Sequence, residues 1–152
     1  MEKFKKIILL LIMTVVGTGM ANAFIDSYTV NRDKLPEAAR EMLDEHFPKA
    51  KISMIKIDRH LLKKPNFDVK LVNGSKIEFS NSGKWKSIDC KKRAVPEALV
   101  PKAIRNHVSK NYPEVKIVKI EKKSAGYEIG LSDELNLKYN LLGQFKGVEN
   151  DD

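Results

Sequence analysis

The chain has 152 residues, a formal net charge of +8 and a single cysteine, Cys90. Its length suits one ordinary domain, and one cysteine excludes an intramolecular disulfide, so packing has to supply the stability. The basic excess lies early, because residues 24–93 hold 16 Lys and Arg against 10 Asp and Glu, whereas residues 94–152 are balanced. Such a surface can attract anionic polymers or an acidic protein face, although a basic excess is also common on proteins in which it has no electrostatic role.

Residues 1–23 have the pattern of a secretory signal peptide. A basic start is followed by an apolar run over residues 7–16, and Ala21-Asn22-Ala23 is a small-x-small site that predicts cleavage before Phe24. The apolar run is shorter than the roughly 20 residues that a membrane span needs, which favours cleavage over a retained anchor. We therefore predict a periplasmic or secreted protein with no membrane span after cleavage, and we expect no nucleic-acid partner.

A helix closed by an aromatic-proline pair and followed by a strand occurs twice. Phe47-Pro48 and Tyr112-Pro113 are 65 residues apart, and each pair ends an apolar stripe with helical spacing. Pro36 and Pro101 open the two helices, a position that suits proline. The repetition predicts two units, residues 24–93 and residues 94–152, each burying its apolar face with help from its neighbour.

Alternating apolar and polar residues after each helix predict four strands per unit. Phe67 corresponds to Tyr127 and Phe79 to Tyr139, both at a separation of 60, so the first unit has five extra residues between its first two strands. The predicted fold class is α+β: a tandem repeat of a helix followed by a four-stranded antiparallel meander, with the helices packed on one sheet face.

These joints and strands resemble a known family. A helix closed by aromatic-Pro, a Lys-Ile strand, an aromatic-acid-aliphatic strand and a Gly-x-aromatic ending, repeated over residues 34–147 behind a signal peptide, are similar to PepSY-like envelope proteins with the β-lactamase-inhibitor-protein fold. The resemblance implies non-catalytic binding of a protein or peptide. The β-lactamase inhibitor itself carries disulfides, which the single Cys90 cannot form, so inhibition of β-lactamase is not carried over. Cys90 is interpreted as a half-buried thiol at a strand end, with an intermolecular link as the alternative.

No catalytic or metal-binding pattern is found in the sequence. His46, His60 and His107 have no second His or Cys at helical spacing, whereas a metal site needs three or four converging ligands. We therefore expect no catalytic residues, no metal and no cofactor, although catalytic triads are recognised by geometry rather than by sequence.

Two regions are candidates for binding. The first is the sheet face away from the helices, where strand alternation places Asp68, Lys70, Lys76, Glu78, Glu128 and Lys138. The second is the inserted loop, an apolar pair among basic residues in the segment Arg59, His60, Leu61, Leu62, Lys63 and Lys64. The loop leucines are either part of a contact site or a cap folded over the helix or sheet edge, and the cap is the favoured interpretation.

The predicted function is an exported, non-catalytic module that binds a protein or peptide of the bacterial envelope, with inhibition of an envelope enzyme as one form of that binding. The alternatives are an enzyme with an unrecognised site and a basic module that adheres to anionic envelope material. The sequence leaves the oligomeric state open.

Overall fold

The structure, a computed structural model, describes residues 25–60 and 62–149. Two α-helices occur in these ranges, α1 (Glu37–His46) and α2 (Lys102–Asn111), each preceded by a short 3-10 turn. The predicted signal peptide at residues 1–23 lies outside the described residues. The strands are β1 (Ser27–Thr29), β2 (Ile52–Asp58), β3 (Asn66–Leu71), β4 (Lys76–Phe79), β5 (Trp85–Asp89), β6 (Ile117–Lys123), β7 (Gly126–Leu131), β8 (Asn136–Asn140) and β9 (Phe145–Glu149).

Prolines define both ends of each helix. Pro36 immediately precedes α1, and Phe47 caps its end through a backbone N–H donated to the last helical turn. Pro48 follows and disfavours helical geometry at the residue before it. The same arrangement holds α2 between Pro101 and Pro113. The chain is therefore redirected into a strand soon after each helix.

The predicted fold class is wrong. All nine strands form one antiparallel sheet in chain order, because β5 and β6 pair directly, with Ile88 opposite Ile120. β1 also adds a strand that has no counterpart in the second half. The fold is mostly β rather than a tandem repeat of helix-plus-four-strand units, and the correspondence between its halves is loose. The physical reason is that β5 would otherwise expose unpaired N–H and C=O groups at a sheet edge, and β6 satisfies them.

One row of side chains crosses the whole sheet on the face that the helices cover. Each member lies directly opposite the next across a strand pair, and the seven inner members are almost fully buried. Ala39 and Leu43 of α1 and Ile104 of α2 belong to the same core cluster. Burying one such side chain stabilises the fold by about 1.5–3 kcal/mol. The row runs through Thr29, Ile55, Val69, Ile77, Ile88, Ile120, Ile129, Leu137 and Val148.

The turn between β4 and β5 brings the backbone against the start of α1. Gly83 has φ +84°, and a Cβ added there would lie 2.9 Å from the backbone nitrogen of Ala39 and 2.9 Å from Cβ of Pro36. Gly74, in the β3–β4 turn, also has a positive φ of +91° but has open space around it. Alanine substitutions at the two glycines therefore distinguish the cost of backbone strain alone from the added cost of a clash between the turn and α1.

We expect Gly83→Ala to lower the free energy of unfolding by about 2–4 kcal/mol, because left-handed strain and overpacking add. Gly74→Ala is the matched control and should cost about 1–2 kcal/mol from strain alone. Urea denaturation of both variants measures the difference. Equal losses in the two variants would contradict close packing of α1 on the turn.

Candidate functional site: the open face of the sheet

The open face is the side of the sheet opposite the two helices. Strand alternation places there the side chains that flank the buried row. Asp68 of β3 lies opposite Glu78 of β4, and Lys70 lies opposite Lys76. The four predicted residues on these two strands are thus neighbours on one surface.

The other two predicted residues lie farther along the same face. Glu128 of β7 pairs opposite Lys138 of β8. β5 and β6 separate this pair from the group on β3 and β4, so the distance from β4 to β7 is about 14 Å at the usual strand spacing. The structure therefore places the six residues on one face but in two groups.

Residues of β2, β5 and β6 on this face were missed by the sequence prediction. Glu121 lies opposite Ser87, and Lys119 lies opposite Asp89, while Lys56 lies opposite Asp68. The signal was available, because Glu121 and Lys119 flank the buried Ile120 as Asp68 and Lys70 flank Val69. The same alternation rule would have found them.

The charged side chains fall into two rows that run across the strands. The acidic row comprises Asp68, Glu78, Glu121 and Glu128, and the basic row comprises Lys70, Lys76 and Lys119. Lys56 and Lys138 lie at the two ends of the acidic row, and Asp89 lies between Lys76 and Lys119 in the basic row. The two rows are two residues apart along each strand, which corresponds to about 7 Å. The open face is consequently striped by charge.

Ion pairs occupy the flanks of the face. Lys56 Nζ lies 3.0 Å from a carboxylate oxygen of Asp26, which precedes β1. Lys138 Nζ lies 2.9 Å from a carboxylate oxygen of Glu149 on β9. Ion pairs near the surface contribute little net stability, because solvent screens them, so these pairs do little to hold the sheet together.

Lys123 Nζ contacts the acidic row itself, at 2.9 Å from Glu121 and 3.8 Å from Glu128. Over the described parts of the chain, the two carboxylates and two ammonium groups on β3 and β4 make no ion pair. Those four groups are Asp68, Glu78, Lys70 and Lys76. Since like charges directly opposite each other destabilise a sheet, the two like-charge contacts on β3 and β4 carry a cost, which the charges of Lys56 and Lys76 near Asp68 reduce.

Asp68 is half-buried within this unpaired group. Burial raises the pKa of its carboxyl above the ordinary value of 3.8, and the nearby charge of Lys56 opposes the shift. Asp89, on β5, has a lowered pKa, because hydrogen bonds from the side chain and backbone of Lys91 outweigh the effect of burial. The pKa values of the two carboxyl groups are therefore shifted in opposite directions, so their ionisation affects the stability of the fold with opposite sign.

The inserted loop joins β2 to β3. Arg59, His60, Lys63 and Lys64 are exposed, and the backbone N–H of Arg59 donates to Asp26 at 3.2 Å. Leu62 is 96% exposed and has φ +60°, a conformation uncommon for residues other than glycine. Leu62 therefore does not act as the expected cap, and Leu61 lies outside the described residues.

Cys90 follows the end of β5 and is buried rather than half-buried. Burial raises the pKa of its thiol above the ordinary value. A buried, protonated thiol is inert as a nucleophile. This environment argues against an intermolecular disulfide in the folded state.

The histidines have separate local partners. His107 Nδ1 lies 2.8 Å from Tyr139 Oη, and its ring stacks on Phe145 at 4.6 Å between centroids. His60 Nε2 lies 3.4 Å from a carboxylate oxygen of Asp58. In residues 25–60 and 62–149, no three or more His, Cys, Asp or Glu side chains are grouped to hold a metal ion.

Comparison with known proteins gives the family. The model of the family described as "Putative beta-lactamase-inhibitor-like, PepSY-like" matches residues 24–64 and 65–147. The chain belongs to the PepSY-like family. The resemblance noted in the sequence is thereby confirmed, and the two matched segments of this PepSY-like chain meet inside the β2–β3 loop. No curated protein matches it.

Three solved structures share the PepSY-like fold. A "putative periplasmic protein of unknown function" from Bacteroides vulgatus is 39% identical with TM-score 0.79, covering 83% of this chain and 100% of its own. A "putative calcium-regulated periplasmic protein" from Bacteroides thetaiotaomicron is 33% identical with TM-score 0.77, covering 82% and 97%. A second periplasmic protein from Bacteroides vulgatus is 34% identical with TM-score 0.76, covering 82% and 97%.

These relatives confirm the expected localisation, periplasmic or secreted, for the PepSY-like chain. Among the described residues, neither helix is long and apolar enough to cross a membrane. Neither the family description nor the three structures names a catalytic activity. Signal cleavage before Phe24 and the division at residues 93 and 94 stay predictions.

The two aspartates predict opposite pH effects on stability. A raised carboxyl pKa means that the folded state holds its proton more tightly, so the contribution of Asp68 is lost as pH rises through the folded-state pKa. We expect Asp68→Asn, which stays neutral, to raise the melting temperature at neutral pH. The gain should shrink below pH 3.8, where the wild-type carboxyl is protonated.

Asp89→Asn is the control with the opposite sign. A lowered carboxyl pKa contributes stability above the unfolded-state value that is lost as pH falls. The variant should therefore melt earlier than wild type at neutral pH, and this loss should fade in acid. Melting curves at neutral pH and below pH 3.8 measure both effects, and a shift of the same sign in both variants would refute the assigned environments.

Proposed function

We propose that this protein is a non-catalytic module of the periplasm that binds a protein or peptide through the open face of its sheet. The observation that carries the proposal is the unpaired, striped group on β3 and β4. Asp68 and Glu78 lie side by side, as do Lys70 and Lys76, and none of the four forms an ion pair among the described residues, although Lys56 lies opposite Asp68 on β2. A partner with complementary charges would relieve both like-charge contacts at once.

The charge pattern favours a polypeptide over an anionic polymer. A polyanion would be attracted by Lys70 and Lys76 but repelled by Asp68 and Glu78, about 7 Å away along the same strands. A protein surface or an extended peptide can present both signs at that spacing. The adhesion alternative is therefore weaker than protein binding for this face.

Inhibition is one form that such binding can take. If the partner is an envelope enzyme and the bound sheet covers its active site, substrate is excluded without chemistry by this chain. The enzyme alternative is weaker, because the family is described as inhibitor-like and its description names no catalytic activity.

Calcium has no part in the proposal. One relative is described as calcium-regulated, but the acidic row of this chain lies beside a row of lysines, and the described residues contain no group of three or more His, Cys, Asp or Glu side chains that could hold a metal ion. Calcium sites collect six to eight oxygen ligands around one ion, whereas carboxylates in the acidic row are spread over four strands.

The β2–β3 loop is proposed as a second contact region. Leu62 is fully exposed between the basic residues His60 and Lys63. An apolar centre inside a polar rim is the usual anatomy of a protein contact. The loop leaves the end of β2, whose Lys56 belongs to the open face, so one partner could reach both regions.

We expect Lys70→Glu/Lys76→Glu to slow association with the envelope partner about tenfold and to flatten its salt dependence, because steering by these charges is lost. The measurement is capture from periplasmic extract by the immobilised chain, followed by binding kinetics with the captured protein at low and high salt. Melting curves verify that the variant is folded.

Lys102→Glu/Lys110→Glu is the matched control, since it changes the net charge equally but lies on α2, away from the open face. A protein captured by wild type and by this control, and lost with the open-face variant, supports the proposal. Equal capture by all three chains would place the contact elsewhere.

We expect Leu62→Ser to leave the melting temperature unchanged, because a side chain that is 96% exposed buries almost nothing. Capture of the same envelope protein should weaken if the loop contributes a contact, by an amount set by the apolar area lost. Unchanged stability together with unchanged capture would remove the loop from the binding surface.

A further inference from the structure

The two charged rows of the open face are opposite in sign at three strand positions. On β3 Asp68 is followed by Lys70, on β4 Glu78 is preceded by Lys76, and on β6 Glu121 is preceded by Lys119. Because the strands are antiparallel and in register, all three carboxylates fall in one row and all three ammonium groups in the other. The pattern is found on β3 and β4 on one side of the central strand β5 and on β6 on the other.

A surface with this pattern is complementary to itself. A twofold axis that runs across the strands, midway between the rows, would lay the acidic row of one copy over the basic row of the other. Each strand would then face its own equivalent, so Asp68 would meet Lys70 and Glu78 would meet Lys76. Isologous contacts of this kind are the commonest in homodimers, and each charge pair would occur twice.

The remaining positions of the rows introduce no clash between like charges. Under the same axis, Glu128 of β7 faces Gly130, and Lys138 of β8 faces Asn136. On β5, Asp89 faces Ser87 and keeps its ion pair with Lys91 at 2.9 Å. Asp89 then lies between Glu78 and Glu121 of the other copy, but no charged side chain of either row lies directly opposite one of the same sign.

The geometry of the sheets also permits the contact. A rotation about an axis across the strands reverses the strand direction but keeps the strands of the two copies nearly aligned. Aligned sheets pack face to face at about 30° because each is twisted. The rows would therefore cross near β5, and the pairs on β4 and β6 would meet most closely.

We infer that the open face binds a second copy of this chain, as a weak, salt-sensitive homodimer with a twofold axis across the strands. This inference rests on the proposed role of the open face as a binding surface and names one occupant of it. Dimerisation and capture of the envelope partner would therefore compete for the same face. Only the monomer would have an open face available to the partner.

The first test is sedimentation equilibrium of the exported chain at low and high salt. We expect a reversible dimer at low salt whose dissociation constant rises at least about tenfold at high salt, since exposed charge pairs are screened. A chain that is monomeric at every concentration in low salt would overturn the inference.

The second test uses charge reversal of each row. Lys70→Glu/Lys76→Glu makes both rows acidic on β3 and β4, whereas Asp68→Lys/Glu78→Lys makes both rows basic there. Each variant alone should lose self-association at least about tenfold, because like charges then face each other. An equimolar mixture of the two should recover a heterodimer, since each acidic row then meets a basic one.

Lys102→Glu/Lys110→Glu on α2 is the control and should dimerise as wild type does. A variant pair that stays monomeric on mixing, or a dimer that persists in both single variants, would overturn the proposed interface. A wild-type chain that is monomeric but captures the envelope partner, and loses that capture with Lys70→Glu/Lys76→Glu, would overturn the dimer and leave the proposed function intact. A wild-type dimer with no captured partner would reject that function while keeping the dimer.

Discussion

Register is the constraint on which the rest of this structure depends. Nine strands share one alignment, so that a single apolar row crosses the sheet from Thr29 to Val148 and its inner members are buried. A slip of one residue in any strand would turn its apolar side chains to the open face. The pair Ile88 and Ile120 at the β5–β6 junction joins both halves into one core.

The same register builds the candidate site. Whatever fixes Val69 opposite Ile77 in the core also fixes Asp68 opposite Glu78 on the other face. The buried row stabilises the fold, whereas the like charges that lie opposite each other in the charged rows lower its stability locally. The same strand pairing thus sets both the buried row, which α1 and α2 cover, and the proposed binding surface on the opposite face of the sheet.

Membership of the PepSY-like family accounts for the scaffold rather than for a partner. The solved relatives share the fold at 33–39% identity, and the name of one says that its function is unknown. Function resides in sites placed on a fold. For this chain the relevant features are the unpaired charges on β3 and β4 and the exposed Leu62, none of which the scaffold needs for packing.

Much of the site followed from alternation alone. Asp68 and Lys70 were predicted to lie on the open face because they flank a buried strand residue. The same rule would also have placed Glu121 and Lys119 there. The exposure of Leu62 did not follow from the sequence, because the loop leucines suit either a cap or a contact site. The burial of Cys90 did not follow either, because a cysteine at a strand end can be exposed or buried. Those outcomes depend on neighbours that are distant in sequence.

The sequence by itself determined the two helices, their proline boundaries, the strands after them and the face on which each charge lies. These features are local, since helical spacing, proline geometry and strand alternation act within a few residues. Only the tertiary structure decided that β5 pairs with β6, that β1 joins the edge, and that the charges of separate strands align in two rows. Strand pairing depends on partners that can lie far apart in the chain, and a two-residue period does not specify which strand lies alongside.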